Sequence, residues 1–309
     1  MKIGVIGAGN VGSALAERVL TSDLADVVLL DINEDLAKAK ALDLMDSMPL
    51  VGRERHVVGV SDYKSLKDCR VATITAGFPR KPGMSREDLI QKNIQIIRPV
   101  VNNIKKVNPD LTLITVTNPL DIMTYVTYKE YNRPKNRVLG MAGNLDTARF
   151  KVLLSGETGI SVKNIESIVL GSHGDTMVPL ISRTKINGKP LTEFMDREKI
   201  DRILNESKKR GARIVSLLKM GSAFFSPSAA CFEILRAIIR DEKKIIPCSC
   251  ILSGEYGIDD CAIGVPAKIG ADGVEKILEW KLPDNELNAL RTSAEAAKNI
   301  LDNNVFSDR

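Results

Sequence analysis

The 309-residue sequence has only two histidines, His56 and His173, and five cysteines without a repeated spacing. An odd number of cysteines without a pattern in a long chain argues against a disulfide scaffold. Cys248 and Cys250 are one residue apart, but no second pair or nearby histidine completes a metal site, so we expect no bound metal. The cysteines are interpreted instead as buried free thiols of a reducing compartment.

Long apolar runs and concentrated charge are also missing. No stretch approaches the roughly 20 apolar residues that a membrane span needs. The first strand is predicted to begin at Lys2, which leaves no room for a signal peptide, so we predict a cytoplasmic protein. The net charge of +5 is scattered along the chain, and we therefore expect no nucleic-acid partner and no membrane partner.

The first 143 residues alternate strand-like and helix-like segments. The predicted strands are 3–6, 26–30, 56–60, 71–75, 111–117 and 137–141, and the predicted helices are 10–20, 34–48 and 86–107. Apolar strands without polar alternation are covered on both faces, which is typical of a parallel sheet flanked by helices. We therefore predict the α/β class, with a doubly wound Rossmann domain over residues 1–143.

Residues 144–309 lack this regularity. The predicted helices are 144–158, 193–219, 222–241 and 283–304, and the predicted strands are 165–170, 249–253 and 261–269. Asn187 and Gly188 predict a hairpin turn between residues 185 and 190. The mixture indicates a second domain, of the α+β class, over residues 144–309.

A glycine-rich turn, Gly7-Ala-Gly-Asn-Val-Gly12, follows the first strand and opens the first helix. Gly7 permits a tight turn, Gly9 lets the backbone approach a pyrophosphate, and Gly12 lets helix and strand pack closely. Asp31 closes the second strand, near the spacing expected of a carboxylate that binds the adenosine ribose. Such a carboxylate repels a 2′-phosphate, so the pattern predicts NAD rather than NADP.

His173 lies in Gly-Ser-His-Gly-Asp, directly after an apolar strand, and is our candidate catalytic base. His56 stands next to Arg55 and is interpreted as a surface residue. Asp146 and Arg149 are three residues apart on a predicted helix and therefore share one face, which suits a site that binds an anion and orients a histidine. A plain ion pair on a solvated face is the alternative interpretation.

A cationic loop over residues 77–89 contains Arg80, Lys81 and Arg86. It follows the fourth predicted strand, at the edge where open α/β sheets bind ligands. This placement favours a lid that closes on an anionic substrate. A solvated basic loop is the alternative.

Together, these motifs resemble the lactate/malate dehydrogenase family over nearly the whole chain. The motifs occur in the order GAGNVG, the Asp31 strand end, AGFPRKPGMSREDL, VTNPLD, GNLDTARF and GSHGD, followed by similar segments at 221–228 and 264–268. No single motif is specific, but the ordered set is.

The resemblance implies roles for individual residues. His173 would transfer the proton, Asp146 would hold its tautomer, and Arg86 on the closing loop would polarise the substrate carbonyl. The implied substrate-binding residues are Arg80, Arg86, Asn118, Arg149 and Ala223. The implied cofactor-binding residues are Gly7, Gly9, Asn10, Val11, Gly12, Asp31, Thr75, Ala76, Gly77, Asn93, Val116 and Asn118. Relatives also carry a cis bond at the position of Asn118–Pro119.

The implied substrate depends on Arg80. Relatives that reduce oxaloacetate carry arginine there, whereas those that reduce pyruvate carry glutamine. A second substrate carboxylate under a closed lid needs a counter-charge, and an unpaired buried arginine would cost several kcal/mol. Ala223 leaves more room than the threonine of lactate-type relatives, while Lys81 is a rival for the second carboxylate. The expected reaction is (S)-malate + NAD⁺ to oxaloacetate + NADH, reversibly.

Other functions stay open at this point. The main alternative is an L-lactate or other 2-hydroxyacid dehydrogenase, and a remote one is a non-catalytic protein that binds NAD or nucleic acid. Apolar residues on helices 34–48 and 193–219 predict a homodimer or homotetramer, as relatives form. Packing of these faces inside the subunit is the alternative.

Overall fold

The structure is a computed structural model that describes residues 1–79 and 84–305. Its first part alternates strands and helices, as the sequence predicts. The elements are β1 (Lys2–Ile6), α1 (Asn10–Thr21), β2 (Asp26–Leu30), α2 (Glu34–Ser47), β3 (Val57–Val60), β4 (Cys69–Ile74), α3 (Arg86–Val107), β5 (Thr112–Thr115), α4 (Leu120–Tyr131) and β6 (Val138–Gly140).

These six strands form a parallel sheet in the order β3-β2-β1-β4-β5-β6. The order reverses between β1 and β4, because the chain crosses from β3 at one edge back to β4 beside β1. The strand residues are almost entirely buried, including Ile3, Val5 and Ile6 of β1. The predicted doubly wound sheet is therefore confirmed, and sheets of this kind bind ligands in a crevice at the carboxyl ends of the strands where the order reverses, here β1 and β4.

The second part mixes helices with antiparallel strands. Its elements are α5 (Gly143–Thr158), β7 (Ile165–Glu166), β8 (Val169–Gly171), β9 (Met177–Pro179), β10 (Lys185–Ile186), β11 (Lys189–Pro190), α6 (Arg197–Leu218), α7 (Phe225–Ile239), β12 (Lys244–Ser253), β13 (Asp259–Gly270), β14 (Gly273–Ile277) and α8 (Asp284–Asn304). Asn187 and Gly188, both with positive φ, turn the predicted hairpin between β10 and β11.

The large sheet continues across the two parts, because β12 pairs antiparallel with β6 and is followed by β13, β8 and β9. One hydrophobic core lies on both parts of this sheet, and a smaller cluster around Phe150 and Ile186 packs within the second part. The predicted domain boundary falls at the first residues of α5. The division into residues 1–143 and 144–309 stays a prediction.

Several segments differ from the sequence expectation: β9 and β14 have no predicted counterpart, and β12 begins at Lys244 rather than at residue 249. Helix α4 was not predicted, because nearly all its residues are buried and no polar face marks a helical period. The predicted strand 165–170 is two short strands, β7 and β8, which pair with different sheets. The partner of each strand is set by tertiary contacts that a local apolar pattern does not contain.

Candidate active site

The glycine-rich turn lies between the end of β1 and the start of α1. Gly7 has a φ of +108°, and its N–H donates to the carbonyl oxygen of Leu30 at 2.7 Å. A Cβ atom on Gly12 would lie 1.9 Å from the Gly7 carbonyl oxygen, so only glycine permits this helix–strand approach. A Cβ on Gly9 would meet no atom within 4 Å, which leaves open space beside the backbone there.

The first turn of α1 presents free N–H groups to this open space. Gly9 caps the helix without a side-chain hydrogen bond, and the first turn contains no acidic residue. The N–H groups of Asn10, Val11 and Gly12 have no partner within the helix, because the first turn has none to offer. A helix N-terminus of this kind binds phosphate oxygens.

Asp31 stands beside the turn, at the end of β2. Its Oδ2 accepts a hydrogen bond from the Ala8 N–H at 2.7 Å, and its Oδ1 accepts one from the Asn33 N–H at 2.9 Å. These two backbone bonds orient a half-buried carboxylate next to the glycine turn. The position suits a group that accepts hydrogen bonds from a ribose and repels a 2′-phosphate.

The opposite wall of the crevice follows β4 and β5. The hydroxyl of Thr75 donates to the carbonyl oxygens of Ile6 at 3.1 Å and Gly7 at 3.0 Å, which ties this wall to the glycine turn. The structure places the predicted cofactor residues Ala76 and Gly77 directly after Thr75 and Val116 directly after β5.

Asn93 joins two loops of this wall. Its side chain is fully buried, accepts from the Phe78 N–H at 2.6 Å and donates to the Asn118 carbonyl oxygen at 2.6 Å. The bond Asn118–Pro119 is cis, while the Asn118 side chain is exposed. Asn93 thus fixes the start of the cationic loop to the loop that presents Asn118. A direct contact between Asn93 and a cofactor stays a prediction.

His173 and Asp146 form the central pair of the site. The imidazole Nδ1 lies 2.7 Å from Oδ2 of Asp146, which is in the first turn of α5, and both side chains are largely buried. Burial acts to lower the pKa of His173, but the Asp146 charge and hydrogen bond outweigh it, so the pKa is raised. With Nδ1 held by Asp146, Nε2 is the nitrogen left for a substrate.

Arg149 completes this cluster one helical turn after Asp146. Its Nη1 lies 3.6 Å from Asp146 Oδ1, and its Nε is buried without a hydrogen-bond partner among the described residues. Burial lowers the pKa of Arg149, yet a guanidinium stays charged near neutral pH. A largely buried cation with an unused N–H donor is suited to binding a carboxylate.

For the other predicted substrate residues the structure shows fewer contacts or none. Arg86 is exposed and is the first residue of α3, between the capping-box residues Ser85 and Asp88. Ala223 is half-buried in the connection between α6 and α7. Arg80, like its rival at position 81, lies outside the described residues.

A buried carboxylate beneath His173 was not singled out from the sequence. Asp121, near the start of α4, accepts hydrogen bonds from the His173 N–H at 2.7 Å and from the hydroxyls of Ser172 at 2.7 Å and Ser249 at 2.6 Å. Burial raises its pKa, against the effect of these three bonds. The sequence signal that could have identified Asp121 is an acidic residue at the start of an apolar stretch, within the VTNPLD motif.

The other histidine and the cysteines lie outside this cluster. His56 is exposed, as predicted. All five cysteines are buried and free, and burial raises the pKa of each thiol, which keeps it protonated. Within residues 1–79 and 84–305 no cluster of histidine, cysteine and acidic side chains could hold a metal ion. No helix in those ranges has the length and apolar character for crossing a membrane.

Two family models together match nearly the whole chain. The model of the lactate/malate dehydrogenase NAD binding domain matches residues 1–140, and that of the alpha/beta C-terminal domain matches residues 143–306. The chain belongs to the lactate/malate dehydrogenase family. The resemblance inferred from the ordered motifs is thereby confirmed.

Individual members of the family are similar over their full length. A malate dehydrogenase of Roseiflexus castenholzii is 46% identical over 300 residues, which are 97% of each chain. The solved structure of the Salinibacter ruber malate dehydrogenase superposes with a TM-score of 0.92, at 43% identity and over 98% of this chain and 97% of the other. A Cryptosporidium parvum lactate dehydrogenase, solved with lactic acid and NAD, has a TM-score of 0.95 at 36% identity, over 100% and 98% of the chains.

This member of the family is an NAD-dependent oxidoreductase. Its crevice fits the dinucleotide, because the open space at Gly9 and the free N–H groups of α1 form a cradle for phosphates. The oriented carboxylate of Asp31 fits the ribose.

Proposed function

We propose that this enzyme oxidises (S)-malate to oxaloacetate reversibly, with NAD⁺ as the acceptor. The observation that carries the proposal is the 2.7 Å contact between His173 Nδ1 and Asp146 Oδ2, one helical turn from the buried guanidinium of Arg149. A proton-transfer group and a carboxylate-binding group are thus adjacent, which is what oxidation of a 2-hydroxy acid requires. The relatives from Roseiflexus and Salinibacter are named malate dehydrogenases, which supports the choice of substrate.

His173 is the proton acceptor in malate oxidation and the proton donor in oxaloacetate reduction. When malate is oxidised, the C2 hydroxyl proton passes to Nε2 and the C2 hydrogen leaves as hydride, so that C2 and its oxygen form a carbonyl group. The Asp146 carboxylate accepts from Nδ1–H, which fixes the tautomer with Nε2 free, and then stabilises the imidazolium. Bound NAD⁺ supplies the hydride acceptor for this reaction.

Arg149 binds the carboxylate adjacent to the reacting carbon. A guanidinium and a carboxylate form two parallel hydrogen bonds, which sets the orientation of the substrate as well as its position. The unused Nε donor of Arg149 is available for this pair. Arg86, the first residue of α3, stabilises the negative charge on the carbonyl oxygen, and Asn118 hydrogen-bonds beside it.

The carboxyl ends of β1, β2 and β4 would hold the cofactor. Gly7, Gly9 and the first turn of α1, with Asn10, Val11 and Gly12, would bind the pyrophosphate, while Asp31 would accept hydrogen bonds from the adenosine ribose. Residues 75–77, Asn93, Val116 and Asn118 would line the nicotinamide side.

The second carboxylate of malate is assigned to Arg80, with Ala223 leaving room for it. The test is an assay of NADH consumption with oxaloacetate and with pyruvate, side by side. We expect a higher kcat/KM for oxaloacetate. Arg80→Gln should shift that ratio toward pyruvate by about a thousandfold, because one unpaired charge amounts to several kcal/mol. Lys81→Gln tests the rival assignment and should leave the ratio unchanged, whereas a shift in Lys81→Gln alone would assign the second carboxylate to Lys81. A wild type that favours pyruvate would instead identify a lactate dehydrogenase.

We also propose that the enzyme self-associates into a homodimer or homotetramer. Leu42 of α2 and Leu217 of α6 are 67% and 72% exposed, and Met220 after α6 is 87% exposed. Large apolar side chains on the two helices singled out from the sequence suit burial against a second copy of the chain. Light scattering coupled to gel filtration should give a multiple of 33.8 kDa, and a monomer at micromolar concentration would contradict this proposal.

A further inference from the structure

Asp121 connects three separate elements directly beneath the catalytic histidine. It is the second residue of α4 and only 3% exposed. Its Oδ2 accepts both the His173 N–H and the Ser172 hydroxyl at 2.7 Å, and its Oδ1 accepts the hydroxyl of Ser249 on β12 at 2.6 Å. Both carboxylate oxygens are therefore occupied by donors from the second part of the chain.

A carboxylate in this position is costly for the fold unless it is compensated. Removing a carboxylate from water costs several kcal/mol, and a well-packed apolar side chain of the same size would avoid that cost. Three hydrogen bonds and the N-terminus of α4, whose dipole favours negative charge, offset it here. Two of the three hydrogen bonds come from Ser172 and His173. The buried carboxylate therefore mainly holds the loop that carries the histidine.

The loop that carries His173 depends on such outside contacts. Gly171, the last residue of β8, and Gly174 flank Ser172 and His173 with φ values of +81° and +133°, so the chain leaves regular strand geometry at this loop. The His173 N–H bonds to Asp121, while the imidazole Nδ1 bonds to Asp146, also at 2.7 Å. Main chain and side chain of His173 are thus held by two different carboxylates.

We propose that Asp121 is a positioning residue for proton transfer, which holds the main chain of His173 where its imidazole reaches Asp146 and the substrate together. This inference rests on the proposed catalytic role of His173. Asp121 touches neither substrate nor cofactor in this assignment. Asp121 acts by accepting a hydrogen bond from the backbone N–H of His173. An uncharged acceptor of the same shape should therefore retain much of the reaction rate.

The test compares Asp121→Leu with Asp121→Asn, which share the branched shape of aspartate and differ in the acceptor oxygen that only asparagine keeps. Asp121→Leu should lower kcat for oxaloacetate reduction by about 10- to 100-fold, because small displacements of a catalytic group are that costly. The kcat of Asp121→Asn should be at least about tenfold higher than that of Asp121→Leu. The Kd for NADH should be the same as in the wild type for both variants. Equal rates for the two variants would overturn the proposal. Should Asp121→Leu fail to fold, Asp121→Ser, too short to reach the N–H, takes its place.

A double-mutant cycle with His173→Asn separates positioning from general support of the fold. If Asp121 acts through the imidazole, adding Asp121→Leu to His173→Asn should slow the residual rate by less than about twofold. The full single-mutant loss repeated in that background would overturn the proposal. Ser249→Ala is the matched control, since it removes one bond to Asp121 and leaves both bonds to the loop, and it should keep kcat within about threefold.

The cycle also distinguishes this inference from the proposed function. A wild type that turns over pyruvate in place of oxaloacetate would show that the substrate is wrong, and the same cycle would then be run with pyruvate. If His173→Asn lowers kcat strongly while Asp121→Leu leaves kcat at the wild-type value, the proton-transfer role stands and only the role of Asp121 is rejected.

Discussion

The Nδ1 atom of His173 lies 2.7 Å from Oδ2 of Asp146, although the two residues are 27 positions apart in the chain. The pair stands at the junction of the parallel sheet with the antiparallel strands, because α5 follows β6 and the His173 loop follows β8. The glycine-rich turn after β1 and the imidazole of His173 therefore follow strands from the parallel and the antiparallel part of one continuous sheet.

The raised pKa of His173 predicts opposite pH profiles for the two directions of the reaction. Reduction needs the imidazolium, so kcat/KM for oxaloacetate should fall as pH rises through that pKa, above the ordinary value of about 6.5. Oxidation needs the neutral imidazole, so kcat/KM for malate should rise over the same range. Steady-state rates between about pH 5 and 9 measure both.

Asp146→Asn should move both inflections to lower pH, because the carboxylate charge that raises the pKa of His173 is lost. Its rate of oxaloacetate reduction at neutral pH should fall by about a hundredfold or more. Asp175→Asn, an exposed acid two residues after His173, is the control and should leave both inflections in place. Inflections that stay at the wild-type pH in Asp146→Asn would show that the pair does not govern proton transfer.

Asp31 is expected to select NAD over NADP. In Asp31→Asn the carboxylate charge is lost while the acceptor oxygen for the Ala8 N–H can remain, so the glycine turn should keep its shape. The ratio of kcat/KM for NADH to that for NADPH should fall by about tenfold or more, since about 1.4 kcal/mol of lost repulsion gives that factor. The measurement is initial rates with each cofactor. Asp35→Asn, exposed on α2, should keep the wild-type ratio.

Where local sequence carried the structural signal, prediction succeeded. The predicted range 86–107 matches α3 at both ends, because Ser85 and Asp88 form a capping box and the helix has a clear apolar stripe. Helix α4 gives neither signal. Its buried Thr124, Tyr125 and Val126 belong to residue types common in strands, and tertiary burial overrides that preference.

The candidate site could likewise be predicted only where a local pattern or the family resemblance pointed to it. The glycine spacing and Asp31 identified the cofactor crevice from short-range pattern and a general mechanism. That His173 meets Asp146 followed only from the family resemblance, because no local rule brings two distant segments together. Asp121 lies 52 positions before His173, and its role is visible only in the folded chain.

The glycine turn predicts that two similar substitutions have different effects. Gly12→Ala would place a methyl group 1.9 Å from the Gly7 carbonyl oxygen, so it should lower the free energy of unfolding by about 1–3 kcal/mol through overpacking. Gly9→Ala meets no atom within 4 Å and should leave the unfolding free energy unchanged, yet weaken NADH binding by about tenfold or more, because the methyl occupies the approach of the pyrophosphate. Thermal unfolding and fluorescence titration with NADH measure the two effects separately.

Each glycine variant serves as the control of the other. Loss of stability in Gly9→Ala, or full stability in Gly12→Ala, would contradict the packing on which this prediction depends. Unchanged NADH affinity in Gly9→Ala would place the pyrophosphate elsewhere.

Arg149 is expected to bind the substrate carboxylate and to contribute nothing to the stability of the fold. Arg149→Lys keeps the charge but loses the paired donors, so KM for oxaloacetate should rise by about 100-fold, while the Kd for NADH stays unchanged. Arg202→Gln, an exposed arginine on α6 paired with Glu157, is the control and should keep the wild-type KM. Substrate saturation curves give the first quantity and NADH titration the second.

Arg149→Met should abolish substrate binding without lowering the melting temperature. The wild-type side chain leaves its Nε buried without a partner among the described residues, and an unmet buried donor costs about 1–3 kcal/mol. Methionine fills a similar volume without that cost, and Asp146 keeps its bond to His173. A melting temperature several degrees below the wild type would show instead that the ion pair with Asp146 contributes more to stability than the unpaired Nε costs.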